Sequence, residues 1–266
     1  MEHIWNEYRD RQVVVTGAAS GMGEAVTKFL VTAGAKVSAI DIKPISQDGV
    51  TAISADFTDA DSIDAAANQI TQPLDAVFCC AGLAPVRPPA DVVLVNYFAN
   101  VRLISRLLPL IGKGGAIATI ASLPTGWEQI FPKIAPGLEI SDFAEARAWV
   151  DANVAEVDGT GYMMSKYALI AWTILNAPRL MADHGVRLNT LAPGKTETPM
   201  MGDFRKAASA GLDALPVPAG RSSTPEEQAN AMMFLNSPLS SYLVGAVLSN
   251  DGGSAAALLG GFLRQN

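Results

Sequence analysis

The stretch Val13-Val14-Val15-Thr16-Gly17-Ala18-Ala19-Ser20-Gly21-Met22-Gly23 decides the fold of this 266-residue chain. Its β-branched run predicts a buried strand, and its three glycines predict a tight turn that opens directly into a helix. Glycine is needed where a chain turns sharply, where backbone approaches a pyrophosphate, and where a helix presses on a sheet. The free N–H groups at the start of such a helix attract phosphates. The stretch therefore favours a dinucleotide-binding turn, with an ordinary glycine-rich turn as the alternative.

Beyond this stretch, short β-branched runs alternate with longer segments of helical spacing. Continuous apolar strands between helices indicate a parallel sheet that is covered on both faces and joined by right-handed crossovers. The sequence contains no internal repeat and no low-complexity linker, so residues 1–266 are expected to form a single doubly wound α/β (Rossmann) domain with a seven-stranded parallel sheet. The predicted strands are 12–15, 36–40, 50–54, 75–80, 116–121, 186–191 and 246–248.

Composition argues against several classes of protein. Lys and Arg number 19 against 26 Asp and Glu, and a net charge of -7 provides no basic surface for nucleic acid. No apolar run approaches the roughly 18 residues that cross a bilayer, and the charged N-terminal residues lack a secretory signal, so we expect a cytoplasmic protein without a membrane partner. Cys79 and Cys80 should point to opposite faces of a strand, which disfavours a disulfide. With only two Cys and two His in the chain, no metal is expected.

The carboxylate of Asp41 bears on the choice of cofactor. Asp41 follows the second predicted strand and lies 18 residues beyond Gly23, close to the spacing at which an acid binds the ribose hydroxyls of a dinucleotide. Because an anionic side chain there would repel a 2'-phosphate, the sequence predicts NAD rather than NADP, a preference that Lys43 weakens. Asp56, at the end of the third strand, is either an adenine ligand or a turn carboxylate.

Four residues form a candidate catalytic set. Tyr162 and Lys166 lie one turn apart at the start of a helix predicted to reach about residue 183. A Tyr and a Lys at this spacing occur by chance in some chains, so the spacing alone is weak evidence. Ser122 at the end of the fifth strand and Asn96 in a helix predicted over 96–111 support it. Ligands of open parallel sheets bind at the carboxyl ends of the strands, so the four side chains are expected to converge there.

In this order and spacing, the residues resemble the short-chain dehydrogenase/reductase family over nearly the whole chain. The match also includes Ala81-Gly82 and the run APGKTETPM that begins at Ala192. The resemblance implies that Tyr162 is the acid/base, that Lys166 lowers its pKa and binds the nicotinamide ribose, that Ser122 holds the substrate oxygen, and that Asn96 anchors a proton-relay water. It implies an NAD site formed by Gly17, Ser20, Gly21, Met22, Gly23, Asp41, Ile42, Asp56, Phe57, Ala81, Gly82, Tyr162, Lys166, Pro193, Gly194, Thr196 and Thr198.

Electrostatics supports the role of Lys166. A free tyrosine has a pKa of about 10, so acid/base work at neutral pH requires roughly 4 kcal/mol in favour of the phenolate. An ammonium group about 4 Å away supplies on the order of 4 kcal/mol at an effective dielectric constant of about 20. We therefore expect Lys166 to account for most of the lowering of the Tyr162 pKa.

The chain departs from most of the family between Ser122 and Tyr162, where 39 residues intervene. The insert, about 123–160, is predicted to begin with a proline-containing loop over 123–137 and to continue as a helix over 141–157. Such an insert resembles the subgroup that contains bacterial 3α-hydroxysteroid dehydrogenase/carbonyl reductase. There it obstructs one of the usual subunit interfaces, which implies a homo-oligomer, either a dimer or a differently built tetramer. Alternatively, the apolar stripe of the insert packs only on its own domain.

The substrate is expected to be apolar. Residues 195–224 are rich in Met, Leu and Pro and are predicted to form a loop over the ligand. We therefore expect a bulky or cyclic apolar secondary alcohol, such as a steroid or terpenoid, and its ketone as the partners of the enzyme. The alternatives are a catalytically silent NAD-binding redox sensor, a methyltransferase, and a reductase of another carbonyl class with the same site.

Overall fold

Seven parallel strands form one sheet in the order β3-β2-β1-β4-β5-β6-β7. This computed structural model describes residues 5–265, and for residues 208–212, 262 and 265 it describes the backbone alone, so residues 1–4 and 266 of the predicted domain lie outside the described residues. The predicted single doubly wound domain is confirmed. The strands are β1 (Gln12–Thr16), β2 (Lys36–Asp41), β3 (Val50–Ser54), β4 (Leu74–Cys79), β5 (Ile111–Ile120), β6 (Arg187–Pro193) and β7 (Val247–Asn250).

Helices cover both faces of the sheet. The α-helices are α1 (Gly21–Thr32), α2 (Ala60–Asn68), α3 (Pro89–Val93), α4 (Ala99–Leu107), α5 (Trp127–Ile134), α6 (Phe143–Asn153), α7 (Tyr162–His184), α8 (Pro199–Ala214), α9 (Pro225–Asn236) and α10 (Ser254–Gln265). A π-helical turn spans Leu94–Phe98, and short 3-10 helices span Asn6–Tyr8, Leu108–Leu110, Ala135–Gly137, Val154–Glu156 and Pro238–Ser240. None of the helices in residues 5–265 combines the length and apolar character needed to span a bilayer.

The strand order places a crevice beside the glycine-rich turn. β1 pairs with β2 on one side and with β4 on the other. The chain therefore runs from the end of β1 towards β2, and from the end of β4 away from β1, so the two connections diverge. Ligands of doubly wound sheets bind at such a switch point. The turn after β1 and the Ala81-Gly82 segment after β4 therefore border the same crevice.

Alternating strand residues divide the core between the two faces. Val14 and Cys79 belong to the cluster that packs under α2 and α4, whereas Val15 packs with α1 and α9 on the opposite face. Cys80 packs against that second cluster, and both thiols are free. The prediction that the adjacent cysteines point to opposite faces is confirmed.

The insert is helical over most of its length. The helix expected over 141–157 is confirmed as α6 and the 3-10 helix that follows it. The loop expected over 123–137 is wrong, because α5 occupies 127–134 despite Pro132. Trp127 and Phe131 are in edge contact, with ring centroids 6.1 Å apart, and the helix packs into the third core cluster. Burial of this apolar face offsets the backbone hydrogen bond that proline removes.

Two other segments differ from expectation. The segment 195–224, expected as a loop, contains α8 over 199–214. The helix expected over 96–111 starts earlier, at Pro89, and Asn96 lies in its π-helical turn. Its predicted end overlaps β5, which begins at Ile111. A periodicity of apolar residues marks the existence of a helix better than it marks its ends.

Candidate active site

The glycine-rich turn packs directly on the chain that follows β4. Gly17 has a φ of +67°, and a Cβ on it would lie 2.8 Å from the Cα of Ala81. Thr16 Oγ1 accepts hydrogen bonds of 3.0 Å from the backbone N–H groups of both Cys80 and Ala81. A side chain at Gly17 is therefore excluded by space as well as by backbone conformation.

The first turn of α1 is suited to bind phosphate. Ser20 occupies the N-cap position, and its side chain makes no capping hydrogen bond. The N–H groups at the start of the helix, at Gly21, Met22 and Gly23, consequently receive no side-chain acceptor from the cap. Uncapped amides and the positive end of the helix dipole fit the pyrophosphate of a dinucleotide.

Asp41 lies against the same turn. Its Oδ2 accepts a 3.0 Å hydrogen bond from Ala19 N, and its Oδ1 accepts one of 2.9 Å from Lys43 N. The carboxylate is thus held at the carboxyl end of β2, where a ribose diol would meet it. The neighbouring side chain of Ile42 is 61% exposed. An apolar side chain in that position is suited to cover an adenine ring.

The side chains of Asp56 and Phe57 are less available for cofactor binding than the sequence predicts. Asp56 Oδ1 accepts hydrogen bonds from the backbone N–H and the hydroxyl of Thr58, at 2.8 and 2.7 Å. Asp56 is therefore a turn carboxylate, with its other oxygen left to contact a ligand. The side chain of Phe57 is buried in the core. Only the backbone of Phe57 can border the crevice.

The run after β6 closes the other side of the crevice. Pro193 ends β6, and a Cβ on Gly194 would lie 2.7 Å from the Cα of Asp251. The hydroxyl of Thr196 is within 3.0 Å of Gly194 O and 2.9 Å of Ser223 Oγ, so it braces the turn. The Thr198 methyl carbon lies 3.4 Å from the position of a Cβ on Gly21. Thr198 thus reaches across to the glycine-rich turn, as a cofactor-lining residue should.

Tyr162 and Lys166 begin α7 and face β5. Lys166 is buried, and its Nζ donates a 2.7 Å hydrogen bond to Ile120 O. The same Nζ lies 5.7 Å from the centroid of the Tyr162 ring and 3.8 Å from the position of a Cβ on Gly82. Ser122 follows β5, and its side chain lies close enough to that of Tyr162 to favour the phenolate. The structure therefore brings Ser122, Tyr162 and Lys166 together beside the crevice.

Burial shifts both titrating groups toward their neutral forms. Burial raises the pKa of Tyr162 to about 12, and the hydrogen bond with Ser122 acts against this rise. Burial also lowers the pKa of Lys166 to about 8, which the nearby Cys80 partly opposes. Lys166 is not among the groups that shift the Tyr162 pKa here, and its lowering of that pKa stays a prediction. The ammonium is directed to Ile120 O, and desolvation of the phenolate is the larger effect.

Asn96 connects to the catalytic helix through Ser165. Its Nδ2 donates to Leu83 O at 3.1 Å and to Ser165 Oγ at 3.2 Å, and its Oδ1 accepts a hydrogen bond of 2.6 Å from Leu83 N. Ser165 Oγ in turn donates to Tyr162 O at 2.7 Å. The π-helical turn that presents Asn96 is a rare conformation, frequent at functional sites. Asn96 is therefore linked to the Tyr162 backbone through Ser165, and its role in anchoring a proton-relay water stays a prediction.

Sequence reasoning missed Ser165 and the position of Phe204 at the site. The ring of Phe204, on α8, packs edge-on against Tyr162 with centroids 4.8 Å apart and an interplanar angle of 85°. Phe204 lies in the segment 195–224, for which the sequence predicts a loop. A helical periodicity in that segment is the signal that could have found it. Among residues 5–265, no three His, Cys, Asp or Glu side chains are grouped closely enough to hold a metal ion.

Comparison with known proteins places the chain among oxidoreductases. Residues 11–131 match the family described as short chain dehydrogenase, and residues 147–255 match the one described as Enoyl-(Acyl carrier protein) reductase. The 3-alpha-hydroxysteroid dehydrogenase/carbonyl reductase of Comamonas testosteroni is 32% identical over 92% of this chain and 97% of its own. The cis-4-hydroxycyclohexanecarboxylate dehydrogenase of Sinomonas cyclohexanicum is 30% identical, over 94% and 98%.

A solved structure shares the fold over nearly its whole length. The 3-alpha-hydroxysteroid dehydrogenase from Pseudomonas sp. B-0831, complexed with NADH, is 31% identical and has a TM-score of 0.80. The alignment covers 93% of this chain and 98% of that structure. The insert is therefore accommodated within a fold of closely similar size.

Proposed function

This chain belongs to the short-chain dehydrogenase/reductase family of oxidoreductases, in the subgroup of 3α-hydroxysteroid dehydrogenase/carbonyl reductase, and we propose that it interconverts a bulky or cyclic apolar secondary alcohol and its ketone with NAD. The observation that carries the proposal is the grouping of Ser122, Tyr162 and Lys166 beside the crevice of a dinucleotide-binding sheet. Two relatives whose names specify a hydroxysteroid or a hydroxycyclohexanecarboxylate support a ring-bearing alcohol.

Tyr162 is the proposed acid/base. In alcohol oxidation its phenolate accepts the hydroxyl proton, and in ketone reduction its phenol returns it, while the Ser122 hydroxyl donates to the substrate oxygen. Bound NAD supplies the hydride acceptor. Burial holds the pKa of Tyr162 above its ordinary value, so the proposed phenolate needs stabilisation. We propose that Lys166 supplies it, since an ammonium about 4 Å away contributes on the order of 4 kcal/mol.

Asp41 supports NAD as the cofactor. Its carboxylate is held at the turn by Ala19 N and Lys43 N, where it can accept hydrogen bonds from ribose hydroxyls. A 2'-phosphate at the same place would meet an anion. Lys43, whose side chain is exposed, is the nearby cation that acts in the opposite direction.

Two further expectations stand as proposals. We propose a homo-oligomer, because apolar side chains of Leu239, Tyr242, Leu259 and Leu263 lie exposed near β7 and α10. We place the protein in the cytoplasm, because Cys79 and Cys80 are free thiols, as is usual in a reducing compartment.

A substrate panel tests the proposed function. NAD reduction is followed with androsterone, borneol and cyclohexanol as cyclic alcohols, and with galactitol and a 3-hydroxyacyl thioester as contrasting substrates. We expect turnover of at least one cyclic alcohol, with a lower KM for the bulkier members because they bury more apolar area. Activity confined to the polyol or the thioester would overturn the assignment of substrate class. NADH binding without any turnover would instead favour the silent redox sensor.

Tyr162→Phe tests the mechanism. Removal of the hydroxyl is expected to reduce kcat by about a thousandfold or more, because no other group replaces the acid/base, while the NADH Kd stays within about twofold. The matched control is Tyr167→Phe. Tyr167 lies five residues beyond Tyr162 on α7, and its hydroxyl donates to Thr125 O at 2.7 Å. Turnover retained by Tyr162→Phe would rule out the assigned role.

A further inference from the structure

The junction between the insert and α7 holds the backbone on both sides of Tyr162. Asp158 Oδ1 accepts a 3.0 Å hydrogen bond from Gly161 N, and Oδ2 accepts one of 2.8 Å from Met163 N. Thr160 Oγ1 donates to the same Oδ2 at 2.7 Å and accepts a 3.3 Å hydrogen bond from Tyr162 N. Three successive amides at the start of the catalytic helix are thus bound by two side chains of the insert.

Gly161 cannot provide this cap. It occupies the N-cap position with a φ of +74° and has no side chain to accept a hydrogen bond. A Cβ there would lie 2.5 Å from Pro89 O and 2.9 Å from Val93 Cγ2, so a larger capping residue is excluded. The close approach to α3 fixes where α7 starts. Asp158 and Thr160 then supply the acceptors that the helix start lacks.

The charge of Asp158 is directed at the helix rather than at a cation. Within residues 5–265, no Lys or Arg forms an ion pair with Asp158. The carboxylate is satisfied by amides and a hydroxyl and lies at the positive end of the α7 dipole. On the other side, Ser165 Oγ donates to Tyr162 O. The peptide groups on both sides of the Tyr162 Cα are therefore held.

From these contacts, we propose that Asp158 is a positioning residue that sets the direction in which Tyr162 presents its hydroxyl to Ser122. The proposal rests on the proposed role of Tyr162 as acid/base. The hydroxyl lies at the far end of a rigid ring, so a small rotation of the Tyr162 backbone becomes a larger displacement of the reacting oxygen. Misplacement by about 1 Å can reduce a rate by about a hundredfold. The insert would in this way contribute to catalysis through the position of Tyr162.

The test compares Asp158→Ala and Asp158→Asn with the wild type and with Asp151→Ala, a control at an exposed carboxylate of the same insert. Turnover is measured with the fastest alcohol of the panel, per NADH-binding site, so that unfolded protein is not counted. We expect Asp158→Ala to lower kcat by about tenfold to a hundredfold, with KM and NADH Kd within about threefold. Asn keeps one acceptor oxygen but turns its NH2 group toward a donor, so it should recover only part of the loss, and Asp151→Ala should behave as wild type.

Amide hydrogen exchange provides a readout that does not require turnover. In Asp158→Ala, exchange of peptides covering 160–166 should accelerate, whereas peptides of the glycine-rich turn should be unchanged. An unchanged kcat per binding site, or unchanged exchange of 160–166, would overturn the proposal. A merely stabilising role would lower the melting temperature and leave kcat per binding site at the wild-type value. If Tyr162→Phe also turns over normally, the proposed function fails; if only Asp158→Ala is active, the positioning role alone fails.

Discussion

At the scale of single residues, burial moves the two titrating groups of the site in opposite directions. Tyr162 has its pKa raised to about 12 and Lys166 has its pKa lowered to about 8, and desolvation is the main cause of both shifts. Each shift favours a neutral side chain. A site that needs phenolate and ammonium together must therefore gain their mutual attraction, which requires a closer contact than the present 5.7 Å between Lys166 Nζ and the ring centroid.

Asp41 provides a residue-scale test of cofactor choice. Asp41→Ala removes both an acceptor for the ribose hydroxyls and the charge that repels a 2'-phosphate. A charged hydrogen bond contributes about 1.5–3 kcal/mol, so the Kd for NADH should rise by about tenfold to a hundredfold. The Kd for NADPH should stay equal or fall. Fluorescence titration measures both constants.

The matched control for this substitution is Asp48→Ala, an exposed carboxylate in the loop after β2. It should leave both constants within about twofold, since a solvated surface charge contributes little. An unchanged NADH Kd in Asp41→Ala, or wild-type protein that binds NADPH as tightly as NADH, would contradict the assignment of NAD.

At the scale of secondary-structure elements, α8 is the element that most alters the candidate substrate site. A loop in this segment would leave the substrate side of Tyr162 undefined. As a helix, α8 places Phe204 edge-on against the Tyr162 ring, with centroids 4.8 Å apart. Edge-on aromatic contacts of this kind are attractive and geometrically specific. The aromatic side chain thus forms an apolar wall directly beside the proposed acid/base.

Phe204→Ala should weaken binding of bulky alcohols. Loss of the ring removes apolar contact with the substrate worth about 1–2 kcal/mol, which corresponds to a rise in KM of about fivefold to thirtyfold. The effect should be greatest for the largest cyclic alcohol, and the NADH Kd should change little. Steady-state kinetics across the substrate panel measures the KM for each alcohol.

Lys206→Ala is the control on the same helix, because the Lys206 side chain is exposed and pairs only with Asp203 at 3.1 Å among the described residues. It should leave every KM within about twofold. A KM for the bulky alcohols that is insensitive to Phe204→Ala would place the substrate elsewhere.

At the scale of the whole molecule, the insert changes which surfaces are free for assembly. α6 packs on α3 and the π-helical turn of its own domain, and Ala146 and Val150 are buried there. Part of the apolar stripe therefore packs on its own domain, and its part in assembly stays a prediction. Apolar side chains remain exposed at the opposite end of the chain, where Tyr242 is 99% exposed. These exposed side chains, Leu239, Tyr242, Leu259 and Leu263, are together called the C-terminal face.

The C-terminal face should mediate a symmetric dimer. Tyr242→Glu combined with Leu259→Glu places two charges where apolar contact is expected, and burying an unpaired charge is strongly unfavourable. We expect light scattering to give a dimer for the wild type and a monomer for the double variant. Leu175→Glu, at an exposed position on α7, is the control and should leave the mass unchanged. A monomeric wild type, or a dimer that only Leu175→Glu disrupts, would contradict this interface.

The sequence by itself determined the seven strands, the glycine-rich turn, Asp41 beside it, and the start of α7 at Tyr162. These features depend on local chemistry, since β-branched runs fill buried strands and glycine alone permits the turn. Only the tertiary structure decided that α5 and α8 are helices, that Asn96 hydrogen-bonds to Ser165, and that Asp158 caps the catalytic helix. It also decided the balance of the Tyr162 pKa. The two helices and the Asn96 contact depend on burial and on partners distant in sequence. The Asp158 cap is local in sequence, but it is needed because Gly161 packs too closely on α3 to carry a capping side chain.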